Sequence, residues 1–278
     1  MLLRFGKFPL ASGTSELGEY SLQTLIEKNQ INKYELAAVM VEPRVKNLVQ
    51  TIQTFLGFLP PSTHFVIYHG LDNQKILQDH FQTQINENKI QLHNLNVHNL
   101  TIQSYNYLLT SPVFYESIPS ENILIFQTDT TLCSNSPFKI SDFTQFDYIG
   151  APMHNLINNL IHFQFLAKGE FNGFRNHMNG GLSFRKKSKM IEVLTKNPWD
   201  HHIPEDVWIC SQLYKEGGNL PTREQARNFS FETENLIQTP LGLHKPRKNL
   251  EELQIICPEV NQIETIPSHT DYRSLFLL

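Results

Sequence analysis

Apolar runs alternate with amphipathic stretches along much of the chain. Continuous apolar runs of strand length cover residues 34–41 and 63–70, and a weaker run covers 89–95. Such runs are typical of strands that are covered on both faces. Between them, residues 45–59 and 72–85 carry apolar side chains at helical spacing. The pattern therefore predicts three strands joined by two helices.

This order of elements favours an α/β fold with a central, mainly parallel sheet flanked by helices. Residues 101–116 are predicted to be helical, and 121–129 to form a further, central strand. Ligands of such sheets bind at the carboxyl ends of the strands, so a nucleotide is expected there. The sequence contains neither GxGxxG nor GxxxxGK[ST]. A divalent metal is the expected substitute for these phosphate-binding loops.

The hydrophobic pattern also suggests where the domain begins. Residues 1–33 lack strong periodicity and are predicted to be an N-terminal extension or cap. Residues 34–278 are predicted to form a single domain. Asp72 stands at the start of the second helix, where it would serve as an N-cap.

Composition and charge exclude several classes of protein. Hydrophobic residues make up 40% and charged residues 18% of the chain, as in soluble globular proteins. A net charge of -4 argues against a nucleic-acid partner. No apolar stretch reaches membrane-spanning length, although the protein could work at a membrane surface.

The number and spacing of the cysteines bear on the cellular compartment of the protein. There are three, Cys133, Cys210 and Cys257, and no CxxC pair occurs. An odd number of widely separated cysteines predicts neither a disulfide framework nor a structural zinc site. A reducing, cytoplasmic location is the simpler interpretation.

The segment ILIFQTDTTL, residues 123–132, is the first candidate for chemistry. Asp129 follows a buried strand, so its carboxylate would lie at the ligand edge of the sheet and could bind a hard divalent cation. The alternative is that Asp129 only begins a turn, where aspartate is favoured.

The surroundings of this segment resemble a known family. The blocks that carry the resemblance occur in this order: AAVMVEPR (37–44), FVIYHGLDN (65–73), YNYLL (105–109), ILIFQTDT (123–130), DYIGAP (147–152), NGGLSFR (179–185), EDV (205–207) and LGLHKP (241–246). They are similar to a glycosyltransferase-like family filed as a domain of unknown function, whose members carry FQTD, YIGAP and NGGLS blocks. The resemblance covers most of the chain and implies an architecture like that of GT-A nucleotide-sugar transferases.

The resemblance implies a metal site for Mn²⁺ or Mg²⁺. Gln127 and Asp129 occupy the outer positions of the Asp-x-Asp motif, so Asp129 remains as the metal ligand. Gln127 would serve the ribose or a metal-bound water. His244 resembles the C-terminal histidine that many GT-A enzymes add as a ligand; the alternative is a surface-loop histidine. Lys245 would face the diphosphate as a point charge.

The same resemblance implies a catalytic base. Glu205 and Asp206 open a helix, where two acids suit the helix dipole and need no further explanation. Transfer of a sugar with inversion, however, requires a carboxylate that accepts the proton of the acceptor hydroxyl. Asp206 is favoured over Glu205 for this role.

The remaining candidates are contacts to the nucleotide and the sugar. On the nucleotide side they are Glu42, Pro43, Arg44, Asp72, Asn73, Tyr105, Asn106, Gln127 and Thr128. On the sugar side they are Asn179, Gly180 and Gly181, whose glycines would let a ligand approach the backbone. Arg185 would contact phosphate or cap a helix, and Tyr105 could instead be a core aromatic residue.

The leading hypothesis is a metal-dependent, inverting glycosyltransferase that moves a sugar from a nucleotide donor, with UDP favoured, to a hydroxyl of a glycan or other acceptor. One alternative is an inactive module that binds a nucleotide or glycan. Another is a metal-dependent nucleotidyltransferase or phosphohydrolase, which normally clusters two or three carboxylates. The oligomeric state is left open.

Overall fold

The fold is seen in a computed structural model that describes part of the chain. The described residues are 32–263 without 156–158, 160, 162–173, 175, 234–235, 237 and 247–248. The predicted extension lies outside them except for its last two residues, and so does the end of the predicted domain, 264–278. The predicted boundary at residue 34 therefore stays a prediction.

Six strands form the central sheet, in the order β3-β2-β1-β4-β7-β6. They are β1 Tyr34–Glu42, β2 His64–His69, β3 Ile90–Asn94, β4 Ser120–Phe126, β6 Tyr148–Pro152 and β7 Met178–Lys186. The first four are parallel, and β7 is antiparallel to both β4 and β6. The predicted α/β fold with a mainly parallel central sheet is confirmed.

Eight α-helices are described: α1 Leu48–Phe58, α2 Gln74–Asn86, α3 Ile102–Leu109, α4 Pro112–Glu116, α5 Lys187–Lys196, α6 Glu205–Lys215, α7 Arg223–Phe229 and α8 Leu250–Ile256. The single helix predicted over 101–116 is wrong, because Pro112 starts a second helix and cannot donate to the first. None of the described helices is long and apolar enough to cross a bilayer.

Burial explains why the apolar runs become strands. Every residue of β2 is buried, as is β1 from Leu36 onward. On α1 the buried side chains Leu48, Ile52 and Phe55 share one face, and the Phe55 ring stacks on that of Phe126 in β4. The spacing of apolar residues thus fixes which side of α1 covers the sheet.

A second, three-stranded sheet was not predicted. It consists of β5 Thr130–Leu132, β8 Ser230–Phe231 and β9 Gly242–His244, in the order β5-β9-β8. Strands of two or three residues are too short to show a period-2 pattern, so the sequence could not reveal them. A small apolar cluster that includes Phe231, Leu243 and Leu253 packs against this sheet.

A disulfide joins Cys133, just after β5, to Cys257, just after α8, with 4.8 Å between their Cα atoms. The prediction that the cysteines form no disulfide is therefore wrong. Their separation of 124 residues along the chain says nothing about distance in the fold. The cytoplasmic location inferred from these cysteines loses its support. Cys210 is free and buried.

We expect the double variant Cys133→Ser/Cys257→Ser to lose about 2–4 kcal/mol of unfolding free energy, because the crosslink closes a long loop in the unfolded chain. Urea unfolding measures the loss. Dithiothreitol should destabilise the wild type by a similar amount and leave the double variant unchanged. Equal stability of the two oxidised proteins would contradict the expectation.

Candidate active site

The candidate site lies where the chain reverses its direction across the sheet. From β1 the strands proceed outward to β2 and β3, whereas β4 lies on the other side of β1. Parallel sheets form a crevice at the carboxyl ends of strands at such a switch point. Here the crevice has a volume of about 320 Å³. Eight predicted site residues line it: Glu42, Pro43, Arg44, Tyr105, Gln127, Thr128, Asp129 and Lys245.

A larger cavity of about 1200 Å³ lies at the opposite edge, near the amino ends of β1, β2 and β3. Glu87 is its only carboxylate among the described residues. The smaller crevice is the better candidate because chemistry-bearing side chains converge on it.

At the carboxyl end of β1, where nucleotide contacts are predicted, Glu42 and Arg44 form a bidentate ion pair. Both Nε and Nη2 of Arg44 lie 2.8 Å from carboxylate oxygens of Glu42. Glu42 is buried, whereas the Arg44 side chain is 64% exposed. The carboxylate thus holds a guanidinium at the mouth of the crevice.

Three predicted nucleotide contacts, Asp72, Asn73 and Asn106, do not line the crevice. Asn73 is fully buried; its amide donates to the Glu42 and Arg44 carbonyls and accepts from the Gly70 N–H. It therefore shapes the loop after β1. The Asp72 carboxylate pairs with His98, and α2 begins at Gln74, so the N-cap predicted at Asp72 is wrong.

Asp129 lies between two basic side chains. Its Oδ1 is 3.7 Å from His244 Nε2, and its Oδ2 is 3.4 Å from Lys245 Nζ. Burial opposes ionisation of Asp129, but His244 and Lys245 outweigh it and lower the pKa of this carboxyl. Asp129 is therefore a carboxylate at neutral pH. The turn at Gln127–Thr130 also exists, so the turn and the site coincide.

The register of the small sheet brings His244 to Asp129. Thr130, the residue after Asp129, pairs with His244 across β5 and β9. The imidazole is buried, which opposes its charge, yet the carboxylates of Glu232 and Asp129 raise the pKa of His244. A buried position beside two acids replaces the alternative of a surface-loop histidine.

Gln127 and Gly181 complete this half of the site. Gln127 Nε2 donates to the Tyr105 hydroxyl at 2.9 Å. A Cβ on Gly181 would stand 2.2 Å from His244 Nε2 and 2.7 Å from Gln127 Oε1. The imidazole nitrogen and the amide oxygen therefore converge on the bare backbone of Gly181.

These residues fit a divalent cation with few protein ligands. Asp129 Oδ1 is buried and has no hydrogen-bond partner among the described residues. No group of three His, Cys, Asp or Glu side chains suited to a metal occurs in the part of the chain that the structure describes. Mg²⁺ is often held by one or two protein carboxylates plus substrate phosphates and water. Asp129 and His244 could hold such an ion, with Gln127 Oε1 as a further oxygen.

The acid pair, Glu205 and Asp206, lies against Gly180, the residue before Gly181. Glu205 and Asp206 begin α6, and both are buried. Asp206 accepts from the Gly180 N–H at 3.0 Å and the Val207 N–H at 2.8 Å. Burial, and then the neighbouring Glu205 charge, raise the pKa of Asp206 to about 7. Asp206 can therefore exchange a proton near neutral pH.

Arg185 ties this half of the site together. It has no exposed surface, and Nη2 lies 3.2 Å from Glu205 Oε1 while Nη1 donates to Tyr115 and Nε to Ser183. Its guanidinium lies over the Tyr148 ring. Its partners in the described part of the chain are protein groups, and the contact with phosphate or the helix cap predicted for Arg185 stays a prediction.

Gly180 and Gly181 of NGGLSFR have a structural reason to be glycine, because neighbouring side chains of the protein leave no room for a Cβ at either position. A Cβ on Gly180 would stand 2.4 Å from Glu205 Oε1, and Asn179 Oδ1 accepts from the Gly181 N–H at 2.7 Å. The sugar contact predicted for these residues stays a prediction.

We expect Gly181→Ala to lower the unfolding free energy by about 1–3 kcal/mol, because the new methyl overlaps His244 and Gln127. Urea unfolding is the measurement. Gly57→Ala is the matched control: nothing lies within 4 Å of a Cβ there. Gly57 lies within α1, where alanine should stabilise by roughly 0.4–1 kcal/mol. Equal effects of the two changes would contradict the packing argument.

Several residues of the site were not predicted from the sequence. Asn99, Leu100, Thr101 and Ile102 line the crevice. Their signal was their position after the third parallel strand, since such residues lie at the ligand edge. Glu232, whose Oε2 is 3.7 Å from His244 Nδ1, had no comparable signal.

The solved structures to which the chain is similar include glycosyltransferases. GlyE of Streptococcus pneumoniae TIGR4, in its apo form, gives a TM-score of 0.48 at 12% identity, over 87% of this chain and 62% of that one. The mannosyltransferase PcManGT of Pyrobaculum calidifontis, in complex with GDP-Man and Mn²⁺, gives 0.44 at 8%, over 85% and 66%. The chain thus spans less than two thirds of the length of these proteins. Curated proteins give no match.

A sequence family matches much of the chain. The family described as "Protein of unknown function (DUF5672)" matches residues 89–244, more than half of the 278 residues. The match includes the strand before Asp129, the two glycines, the acid pair and His244. The chain belongs to the DUF5672 family.

Proposed function

We propose that the protein is a metal-dependent glycosyltransferase that moves a sugar from a nucleotide donor to an acceptor hydroxyl. The observation that carries this proposal is that two adjacent glycines of β7, Gly180 and Gly181, contact two different groups of polar side chains. The Gly180 N–H holds Asp206, and the backbone of the next residue, Gly181, stands against His244 and Gln127. A cation-binding half and a proton-accepting half therefore meet within two residues, beside the crevice at the switch point.

The cation-binding half would serve the leaving group. A bound Mn²⁺ or Mg²⁺ supplies positive charge that stabilises the departing diphosphate. Asp129 and His244 would hold the ion, and Lys245 adds a second positive charge 3.4 Å from Asp129. Residues 42–44 and Tyr105 line the rest of the crevice, where the nucleoside would lie.

The acidic half would serve the acceptor. Asp206, with a pKa raised to about 7, accepts the proton of the acceptor hydroxyl. The hydroxyl oxygen of the acceptor attacks the anomeric carbon as the bond from that carbon to the diphosphate breaks. Attack from the face opposite the diphosphate gives inversion. Glu205 is engaged by Arg185, so its role is to set the charge around Asp206 rather than to take the proton.

A thermal-shift assay tests the proposal with UDP-, GDP-, CMP- and dTDP-sugars, each with and without Mn²⁺. We expect at least one nucleotide sugar to raise the melting temperature only when metal is present, with a UDP-sugar tried first. Asp129→Asn should abolish this shift, whereas the surface change Asp79→Asn should keep it. No metal-dependent shift with any of the four would overturn the proposal.

A second candidate is a module that binds the nucleotide sugar without turnover. Gln127 favours it, because an amide stands where the first acid of the Asp-x-Asp motif would be and is held by Tyr105. Metal-dependent binding with no release of nucleotide in the presence of varied acceptors would support it. A two-metal phosphohydrolase is disfavoured, since Asp129 is the only carboxylate within 4 Å of His244 Nε2 among the described residues.

A further inference from the structure

The His244 imidazole lies between two carboxylates on opposite edges of its ring. Its Nε2 is 3.7 Å from Asp129 Oδ1, and its Nδ1 is 3.7 Å from Glu232 Oε2. We infer that Glu232 is a positioning residue: it accepts the Nδ1 proton and so directs the Nε2 lone pair toward the cation site. This inference rests on the proposed function, in which His244 is a metal ligand.

The backbone brings Glu232 to His244 by register. β8 and β9 are parallel neighbours, and Phe231 pairs with Leu243. Glu232 follows Phe231 just after β8, and His244 follows Leu243 in β9, so this register brings the two residues close together. The pairing of β9 with β5 places Thr130, next to Asp129, opposite His244. One small sheet therefore aligns acid, imidazole and acid.

The burial of the ring makes a partner for Nδ1 necessary. The His244 side chain is 5% exposed and that of Glu232 12% exposed. No hydrogen-bond partner within 3.5 Å is found for Nδ1 among the described residues. A buried ring N–H without a partner is costly. Glu232 Oε2 would have to come roughly 0.5 Å closer to reach about 3.2 Å, the upper limit of an N–H···O hydrogen bond, and accept this proton.

Glu232 would not be a second carboxylate ligand of the cation. It faces Nδ1, whereas Asp129 faces Nε2, the nitrogen that would hold the ion. Histidine ligands commonly donate their second N–H to a carboxylate, which fixes the tautomer and the orientation of the ring. Loss of that partner typically weakens metal affinity by about 10–100-fold.

The test measures Mn²⁺ affinity by electron paramagnetic resonance, in the presence of the nucleotide that gives a thermal shift. We expect Glu232→Ala to weaken binding by about 10–100-fold and Glu232→Gln by less, because the amide oxygen can still accept the Nδ1 proton. Glu224→Ala is the matched control: it removes an exposed carboxylate on α7, just before β8, and should leave affinity unchanged.

A second measurement, the tautomer of His244, distinguishes a role of Glu232 in positioning the imidazole from a simple effect of its negative charge. In ¹⁵N-histidine-labelled protein with Mg²⁺, His244 should carry its proton on Nδ1 in the wild type and in Glu232→Gln. In Glu232→Ala both tautomers should appear. His244→Gln assigns the signal, and thermal unfolding confirms that each variant is folded.

The outcomes distinguish the two proposals. Wild-type protein that binds no Mn²⁺ with any nucleotide would overturn the proposed function. Wild-type protein that binds Mn²⁺, together with Glu232→Ala that binds within twofold and keeps the Nδ1–H tautomer, would overturn the role of Glu232 alone. Equal weakening in Glu224→Ala would also overturn it.

Discussion

Asp206→Asn is expected to lower kcat for sugar transfer by about 10²- to 10⁴-fold, which is the usual contribution of a general base. The amide keeps the size of the side chain and can still accept one of the two backbone N–H bonds from Gly180 and Val207. It cannot take a proton. Donor binding should change little, because Asp206 does not line the nucleotide crevice.

The role of Asp206 as a base also predicts how kcat depends on pH. A base works only when ionised, and burial with the Glu205 charge raises the pKa of Asp206 to about 7. Wild-type kcat should therefore fall as the pH drops below about 7. This acidic limb of the pH profile, the fall in kcat below about pH 7, should be absent from the residual activity of Asp206→Asn. Stopped assays of nucleotide release between pH 5 and 9 measure both profiles.

Glu205→Gln is the discriminating comparison for the base. It removes the neighbouring negative charge that helps raise the pKa of Asp206, so the limb should move to lower pH while turnover persists. If Glu205→Gln abolished turnover and Asp206→Asn did not, the assignment within the acid pair would be reversed. Retention of the anomeric configuration in the product, seen by NMR, would remove the need for either base.

Arg185→Met is expected to lower the unfolding free energy by about 3–5 kcal/mol. The substitution leaves Glu205 buried without its counter-charge, since Glu205 is 4% exposed and its Oε2 has no hydrogen-bond partner in the described part of the chain. It also removes the donor to the Tyr115 hydroxyl. Urea unfolding of variant and wild type measures the loss, with an unchanged m-value as the check on two-state behaviour.

The double variant Arg185→Met/Glu205→Leu is the control for this loss. Replacing both members of a buried ion pair by apolar residues is often neutral. We therefore expect the double variant to recover much of the stability. A double variant as unstable as Arg185→Met would mean that packing, and not the unpaired carboxylate, causes the loss. Lys189→Met, which removes a surface charge, should change stability by less than about 0.5 kcal/mol.

The hydrophobic pattern determined most of the central sheet. The bounds predicted for these strands, 34–41, 63–70 and 89–95, differ from those of β1, β2 and β3 by at most one residue at each end. This succeeds because a strand that is covered on both faces must be apolar at every position. The break at Pro112 was missed, although a proline inside a helix is a local signal.

The sequence also determined which residue types end the strands at the ligand edge. Residues 42–44 and 127–129 follow buried strands, and parallel strands bring their carboxyl ends to one edge, so these segments line one crevice. Only the tertiary structure decided what Arg185, Asn73 and Glu232 contact. Their partners Glu205, Glu42 and His244 are set by strand register and helix packing, and distance along the chain does not encode them.

The same limit explains the disulfide and the small sheet. Cys133 and Cys257 lie 124 residues apart, and the strands β5, β8 and β9 have too few residues for a pattern. Hydrophobic periodicity is a local property, so the sequence by itself determined the elements and the acids at their ends. The pairing of short strands is a long-range property that depends on packing between distant segments. Only the tertiary structure therefore decided that Asp129, His244 and Glu232 stand in line, and that Gly180 and Gly181 join them to Asp206.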